Sequence, residues 1–310
     1  MSTAPDHAGC AWAWRSIASA AGAAGKINQD NLVVVGPDGG AFWLSDGGVA
    51  VGKVESWPAG HCRFAVLDGM GAHRDGARVS EHVARALAAM PAFHELGALS
   101  RALDRLHADT RAVFADGLVR PAGTTLLVLE IPADGAALLY HVGDSRLFRL
   151  DDDGLDILTV DHCPATARLL RGELDAGRWQ HEVYERPHRE LTQAFGLGRL
   201  VPGAAALAAG LAELCAPDLP DCISHMSDRR TLRLDDGAVL LLATDGLWSA
   251  RDPVRRLGAV ADVLRSTAAV SVESAADGLL AAARADASPP SLDDNLTFIV
   301  VRCPVMSAGA

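Results

Sequence analysis

Phe64-Ala65-Val66-Leu67-Asp68-Gly69-Met70-Gly71 is an apolar run that stops at an aspartate followed by glycine. Four apolar residues, three of them large or β-branched, closed by Asp-Gly read as a buried strand leading into a turn. Three more stretches repeat the arrangement: Tyr140-His-Val-Gly143-Asp144-Ser145-Arg146, Leu240-Leu-Leu-Ala-Thr-Asp245-Gly246, and Asp293-Asp294-Asn295 before Leu296 to Val301. A carboxylate at a strand end is held by a rigid element while its oxygens reach solvent. Several of them meeting in one place repel unless a cation lies between them. All-oxygen donor sets suit hard divalent cations such as Mg2+ and Mn2+. The pattern therefore points to a multi-metal carboxylate site.

Outward from these strands, the period alternates between strand and helix. Asn31 to Val35 reads as a strand ended by Gly36-Pro37, with one more strand expected around Phe42-Trp43-Leu44. Val79, Val83, Leu87 and Met90 recur at helical spacing, as do Leu99, Leu103, Leu106 and Val113. Thr124 to Ile131 and Ala136 to Val142 flank the turn Pro132 to Gly135, and Arg146 to Leu150 and Leu155 to Val160 flank Asp151 to Gly154, so both pairs read as hairpins. A third hairpin is expected from Thr231 to Leu234 and Val239 to Ala243 over Asp235-Asp236-Gly237. Helices are expected at Ala204 to Leu214, Pro253 to Thr267 and Val272 to Ala285, and a polar surface flap at Arg168 to Arg186. Hairpins interrupted by helix pairs imply antiparallel sheets covered by helices, an α+β layered architecture.

With 310 residues and 49% hydrophobic content, the chain can build one large core or two modest ones, and no low-complexity linker divides it. One domain over residues 1–310, with a core of 15–303, is the expectation. A net charge of −11 lacks the basic stripe of a nucleic-acid binder. No apolar run reaches the roughly 20 residues of a membrane helix. Met1 to Arg15 has no basic segment followed by a long apolar one, which speaks against a secretory signal. Six cysteines without a Cys-x-x-Cys pair suggest neither a disulfide framework nor a zinc site, and a reducing cytoplasm fits them.

Taken in order, the motifs resemble those of the metal-dependent type 2C (PPM) serine/threonine protein phosphatases, in the form of a divergent bacterial branch. The resemblance runs from Asn28 to Val301. It rests on Asn28-Gln29-Asp30, Asp68-Gly-Met-Gly-Ala-His-Arg-Asp-Gly76, Gly123-Thr-Thr125, Val142-Gly-Asp-Ser-Arg146, Thr159-Val-Asp-His162, Leu191-Thr-Gln-Ala-Phe-Gly196, Thr244-Asp-Gly-Leu247 and Asp294-Asn-Leu-Thr297. A lone Asp-Gly is usually a turn; the ordered set is far more specific. The resemblance implies a four-layer α-β-β-α sandwich, two antiparallel sheets flanked by helices. It also implies two ions, Mn2+ or Mg2+, in a cleft at the sandwich edge. Asp68 would bridge them, with the Gly69 carbonyl, Asp245 and Asp294 as further ligands and Asp30 acting through a bound water. Asp144 would join Asp245 at a third ion found in some members, or else pair with Arg146. The implied reaction is hydrolysis of phosphoserine and phosphothreonine by in-line attack of a metal-bridging water.

Three departures stand out. Many members carry a phosphate-binding Arg four residues before Gln29; here that position is Gly25, with Lys26 beside it, and a lysine offers phosphate only a point charge. Gln29 replaces the usual Glu. Met70 stands where eukaryotic members have a His general acid, as it does in bacterial members, leaving His73 as a candidate proton donor. The implied partners are a phosphorylated protein and an opposing serine/threonine kinase. The alternatives are a pseudophosphatase that binds a phosphoprotein or kinase without turnover, prompted by Gly25 and Gln29, and an enzyme for a small phosphorylated molecule. Cys163 to Arg168 resembles the loop of cysteine-dependent phosphatases, but four intervening residues replace the five that loop needs. The stretches 38–60 and 200–230 are longer than the motif spacing requires. With the flap cations Arg171, Arg186 and Arg189, they are candidates for partner contacts or for neutral surface.

Overall fold

The computed structural model describes residues 9–19, 27–71, 74–115, 121–186, 190–200, 210–268, 270–285 and 294–305. Two large antiparallel sheets face each other. The seven-stranded sheet runs, in spatial order, Arg229–Leu232, Ala137–Val142, Leu126–Ile131, Cys62–Leu67, Asn31–Val35, Gly40–Ser45 and Gly48–Lys53. The five-stranded sheet runs Ala11–Ile17, Leu296–Arg302, Val239–Ala243, Arg146–Leu150 and Leu155–Ile157. Helices α1 (Asp75–Ala89) and α2 (Leu96–Phe114) cover the outer face of the first sheet. The short α3 (Pro164–Leu170) and α4 (Ala176–Tyr184) form the flap segment, and α5 (Pro253–Thr267) and α6 (Val272–Ala285) cover the second sheet. Asp252 caps α5 by accepting from the Arg255 N–H at 3.0 Å, with Pro253 at the first helical position. Among the described residues, no helix is long and apolar enough to cross a membrane.

Strand period explains how one sequence feeds three cores. In Cys62–Leu67, Phe64 and Val66 join the core between the sheets, whereas Ala65 and Leu67 face α1 and α2. Leu32 and Val34 likewise point between the sheets, as do Leu240, Leu242, Ile299 and Val301 from the other side. Leu241, Ala243, Phe298 and Val300 instead meet α5 and α6. The four layers are thus the ones the motif resemblance implies.

Several expectations need correction. Thr231 and Val239 do not share a hairpin: Leu232 pairs with Ala137 in the seven-stranded sheet, and Val239 pairs with Arg302 in the five-stranded one. The Asp-Asp-Gly segment carries the chain from one layer to the other. Residues 38–60 hold two strands, not one, and pair Gly40 with Lys53 through Ser45 with Gly48 as an edge hairpin. Val113 is 58% exposed, and its neighbour Phe114 packs against the core in its place. The flap is more than polar surface: Leu169, Trp179 and Val183 pack with Leu219, Ile223 and Met226 into a small core of their own. Residues 204–209 of the expected Ala-Leu helix lie outside the described residues, and 210–214 form no helix.

Candidate active site

The inter-sheet face of each central strand continues past the hydrophobic core as polar residues. After Phe64 and Val66 comes Asp68; before Leu32 comes Asp30; after Leu242 comes Thr244; before Ile299 come Thr297 and Asn295. Asn31 pairs with Leu67, so the next step of the same register sets Asp30 beside Asp68. The Gly69 N–H donates to the Gln29 carbonyl at 3.2 Å and confirms that step. On the opposing sheet the Thr244 N–H donates to the Thr297 carbonyl at 2.9 Å. Asp245 opens a single 3-10 turn, Asp245–Leu247, and its Oδ2 accepts from Ser249 Oγ at 3.1 Å.

The two sheets are stitched together at this end. Thr244 Oγ1 donates to Asp30 Oδ2 at 2.8 Å. The Gln29 N–H donates to Asn295 Oδ1 at 2.9 Å, and Asn28 Nδ2 donates to Ser16 Oγ at 2.8 Å. Thr125 serves Asp68: its Oγ1 accepts from the Asp68 N–H at 2.8 Å and lies 2.7 Å from Ser145 Oγ, next to Asp144. His162 holds the Gly143-Asp144 turn, with Nδ1 accepting from the Gly143 N–H at 2.9 Å and Nε2 placed 3.2 Å from Asp228 Oδ2. Glycine is required where backbones touch. A Cβ on Gly246 would sit 1.9 Å from the Asn295 carbonyl oxygen, and one on Gly69 2.5 Å from the carbonyl oxygens of Gln29 and Gly76. The Asp-Gly pairs are therefore close-approach sites that let Asp245 near Asn295 and Asp68 near α1.

Five carboxylates share this end of the cleft. Burial, and then repulsion from Asp30, Asp245, Asp144 and Asp294, push Asp68 well above the usual carboxylate range. Asp30 is pushed up to about 8, first by burial and then by Asp245 and Asp294, against the stabilising hydrogen bonds of Thr244 and Thr297. Its Oδ1 is buried with no hydrogen-bond partner among the described residues. Among those residues, no three His, Cys, Asp or Glu side chains close tightly enough to cage an ion; the carboxylates are neighbours by electrostatic coupling. Their donors are all oxygen, they repel, and Asp30 presents an unmatched acceptor, so the set fits a hard divalent cation.

The sequence-derived candidates Asp30, Asp68, Gly69, Asp144, Asp245 and Asp294 are thus brought together, whereas Lys26 and His73 lie outside the described residues. The close ion pair of Arg146 is with Asp161, at 2.7 Å, and Asp144 adds a weaker charge interaction. Arg146 also donates to the Val183 carbonyl and stacks 4.8 Å from Tyr184 and 4.4 Å from Trp248. Cys163 is buried, and burial with the nearby Asp161 charge pushes its thiol up to about 11, the reverse of a nucleophilic cysteine. In the flap, Arg168 pairs with Glu182 and Arg171 with Glu173. Sequence reasoning missed Thr125, Thr244 and His162 as positioning groups, although each stands inside a quoted motif.

No family model matches the chain. It is 28% identical over 224 residues to a mouse protein described as probable protein phosphatase 1N, a match covering 67% of this chain; the chain spans about half the length of that relative. Among solved structures it is similar to the PPM Ser-Thr phosphatase MsPP from Mycobacterium smegmatis in complex with cacodylate, with 22% identity, 95% and 98% of the two chains covered and a TM-score of 0.60. It is similar to the S. agalactiae serine/threonine phosphatase, at 19% identity, 96% and 99% coverage and a TM-score of 0.64. A third is the catalytic domain of the serine/threonine protein phosphatase PstP in complex with two manganese ions, at 21% identity, 95% and 98% coverage and a TM-score of 0.57. The chain has the fold of the PPM serine/threonine phosphatases, as its motifs led us to expect.

Proposed function

We propose that this chain is a metal-dependent phosphatase acting on phosphoserine and phosphothreonine in proteins. The observation that supports it most is the convergence of Asp30, Asp68, Asp144, Asp245 and Asp294 from both sheets, with Asp68 raised by all four others. Asp68 with the Gly69 carbonyl, Asp245 and Asp294 would hold two ions of the Mn2+ or Mg2+ class, the former being the ion held by one structural relative. Asp30 would act through water, and Asp144 would serve a third ion. Such ions supply a water of lowered pKa and neutralise charge on the phosphoryl oxygens. The protein's own part is positional. Thr244 orients Asp30, Thr125 and Gly69 fix the Asp68 turn, and His162 fixes the Asp144 turn. With Cys163 pushed up to about 11, direct hydrolysis is the reading, without a thiol intermediate. His73 remains the candidate proton donor and Lys26 a candidate phosphate contact by sequence. Residues 15–303 would form one catalytic unit. The six free thiols suit a reducing compartment, the cytoplasm by this reading, with a phosphoprotein substrate and an opposing kinase.

Purified protein is assayed for hydrolysis of a phosphothreonine peptide with Mn2+ and with EDTA, beside Asp68→Asn and Asp245→Asn. Metal-dependent turnover lost in both variants is the expected result. Metal binding without turnover in the unaltered protein would instead identify a phosphoprotein-binding pseudophosphatase.

A further inference from the structure

A protein cation beside five carboxylates would help draw in a phosphate monoester, in addition to any metal. Arg146 is withdrawn from this task by its buried pairing with Asp161. A cavity of about 700 Å3 opens on the flank of the cluster, with Asp30 in its lining, between the Gly40–Ser45 and Gly48–Lys53 hairpin and the first turns of α1. Two arginines line it, Arg74 and Arg78. Arg78 lies 3.5 Å from Asp75 and over the Phe114 ring at 5.8 Å. Asp46 and Glu81 also line the cavity, and Glu81 accepts from Ser45 Oγ at 2.6 Å. Arg74 makes no ion pair and no side-chain hydrogen bond among the described residues, and it is exposed. It stands two residues before Gly76, whose carbonyl oxygen is so close to Gly69 that a Cβ there would come within 2.5 Å. An uncommitted arginine therefore lines the cavity, two residues before the glycine that packs against Gly69.

We propose that Arg74 is the substrate-anion contact of this site, and that the cavity is the subsite through which the phosphorylated residue is presented to the carboxylates. The proposal rests on the phosphatase reading and names the phosphate-recognising residue within it. A guanidinium binds a phosphoryl group through two parallel N–H donors, a role lysine fills only as a point charge.

The test measures binding as well as turnover. Phosphothreonine peptide is titrated calorimetrically into the Asp245→Asn protein with and without Arg74→Ala, and KM and kcat are measured for the same peptide in the Asp245 background. Arg74→Ala should weaken binding and raise KM roughly tenfold or more, and Arg74→Lys should recover part of the loss. Arg101→Ala, on an exposed position of α2, controls for lost charge. Equal weakening by Arg101→Ala, or binding and KM within twofold for Arg74→Ala, overturns the assignment even if the enzyme is active. No detectable phosphopeptide binding to the Asp245→Asn protein also overturns it. Absent turnover with Arg74-dependent peptide binding overturns the hydrolytic reading and leaves Arg74 as the anion contact.

Discussion

Arg146 Nη2 lies 2.7 Å from Asp161 Oδ2, and both side chains are fully buried. The pair ties a central strand of the five-stranded sheet to the flap, through the Val183 carbonyl and the Tyr184 ring, and to Trp248, just beyond Asp245. Removing one partner strands a buried charge, so Arg146→Ala should cost about 3–5 kcal/mol in urea unfolding. Arg146→Lys should recover little of it, because a lysine cannot reproduce the fork or the stacking.

Repulsion within the carboxylate cluster has a definite sign. Asp30 and Asp68 are raised above the unfolded value of about 3.9. The folded chain therefore holds protons that the unfolded chain has released, and metal-free stability should fall as pH rises from about 4 through about 8. Asp68→Asn should raise the metal-free Tm at pH 8, by roughly 2–4 °C for each kcal/mol of repulsion removed. Calorimetry in EDTA checks the direction. Added Mn2+ should raise the Tm of the unaltered protein in a concentration-dependent way and that of Asp68→Asn far less.

Glu130 behaves in the opposite sense. Its burial is outweighed by Arg63, whose Nε stands 2.6 Å away, and by His61 at 2.8 Å, so its pKa is lowered. Arg63 also donates to the carbonyls of Leu87, Met90 and Pro91 at the end of α1. The stabilisation is present above the unfolded Glu value of about 4.3 and lost as pH falls through the lower folded value. Glu130→Gln should lower stability at pH 7 by about 3–5 kcal/mol and flatten the acid limb of the stability curve, as read by denaturant titration between pH 2 and pH 7.

Gly246 has no room for a side chain: its Cβ would fall 1.9 Å from Asn295 O. Gly246→Ala should cost about 1–3 kcal/mol and displace Asp245, with a larger loss of Mn2+ affinity than of stability. Gly47→Ala, where nothing lies within 4 Å but φ is +74°, bears only backbone strain and should leave metal affinity intact.

Thiol chemistry gives a further check. Cys222 is exposed and Cys215 half-buried, whereas Cys10, Cys62, Cys163 and Cys303 are buried. Iodoacetamide at neutral pH should label Cys222 first, spare Cys163 and leave hydrolysis unchanged; mass spectrometry and a turnover assay read both outcomes.

Most of the architecture was legible because strand and helix periods are local. The bounds of α5 and α6 were read directly, since Asp252-Pro253 and the apolar spacing mark them without help from distant residues. The carboxylates were legible as strand-end aspartates beside glycine. What escaped depended on contacts remote in sequence. The strand Gly48–Lys53 was missed because Val49 and Val51 face solvent on an edge and two glycines dilute it. The flap core draws Trp179 and Val183 from one segment and Leu219, Ile223 and Met226 from another, so neither segment shows the pattern alone. An Asp-Asp-Gly between two apolar runs looks the same whether the chain returns to its own sheet or leaves it, which is why the step from Leu232 to Val239 was read as a hairpin. Arg74 drew no notice in the sequence, because having no partner is a property of the folded surface.

That step between layers also bears on how the molecule is made. The seven-stranded sheet takes strands from residues 31–67, 126–142 and 229–232, and the five-stranded sheet from 11–17, 146–157, 239–243 and 296–302. Neither sheet is a continuous piece of chain, so most pairings join distant segments and folding should be slow for the chain's length. Asp30 and Asp68 arrive with one sheet, and Asp245 and Asp294 with the other. Ion capture would therefore come late, and a bound ion would report that the last strand, Leu296–Arg302, has docked.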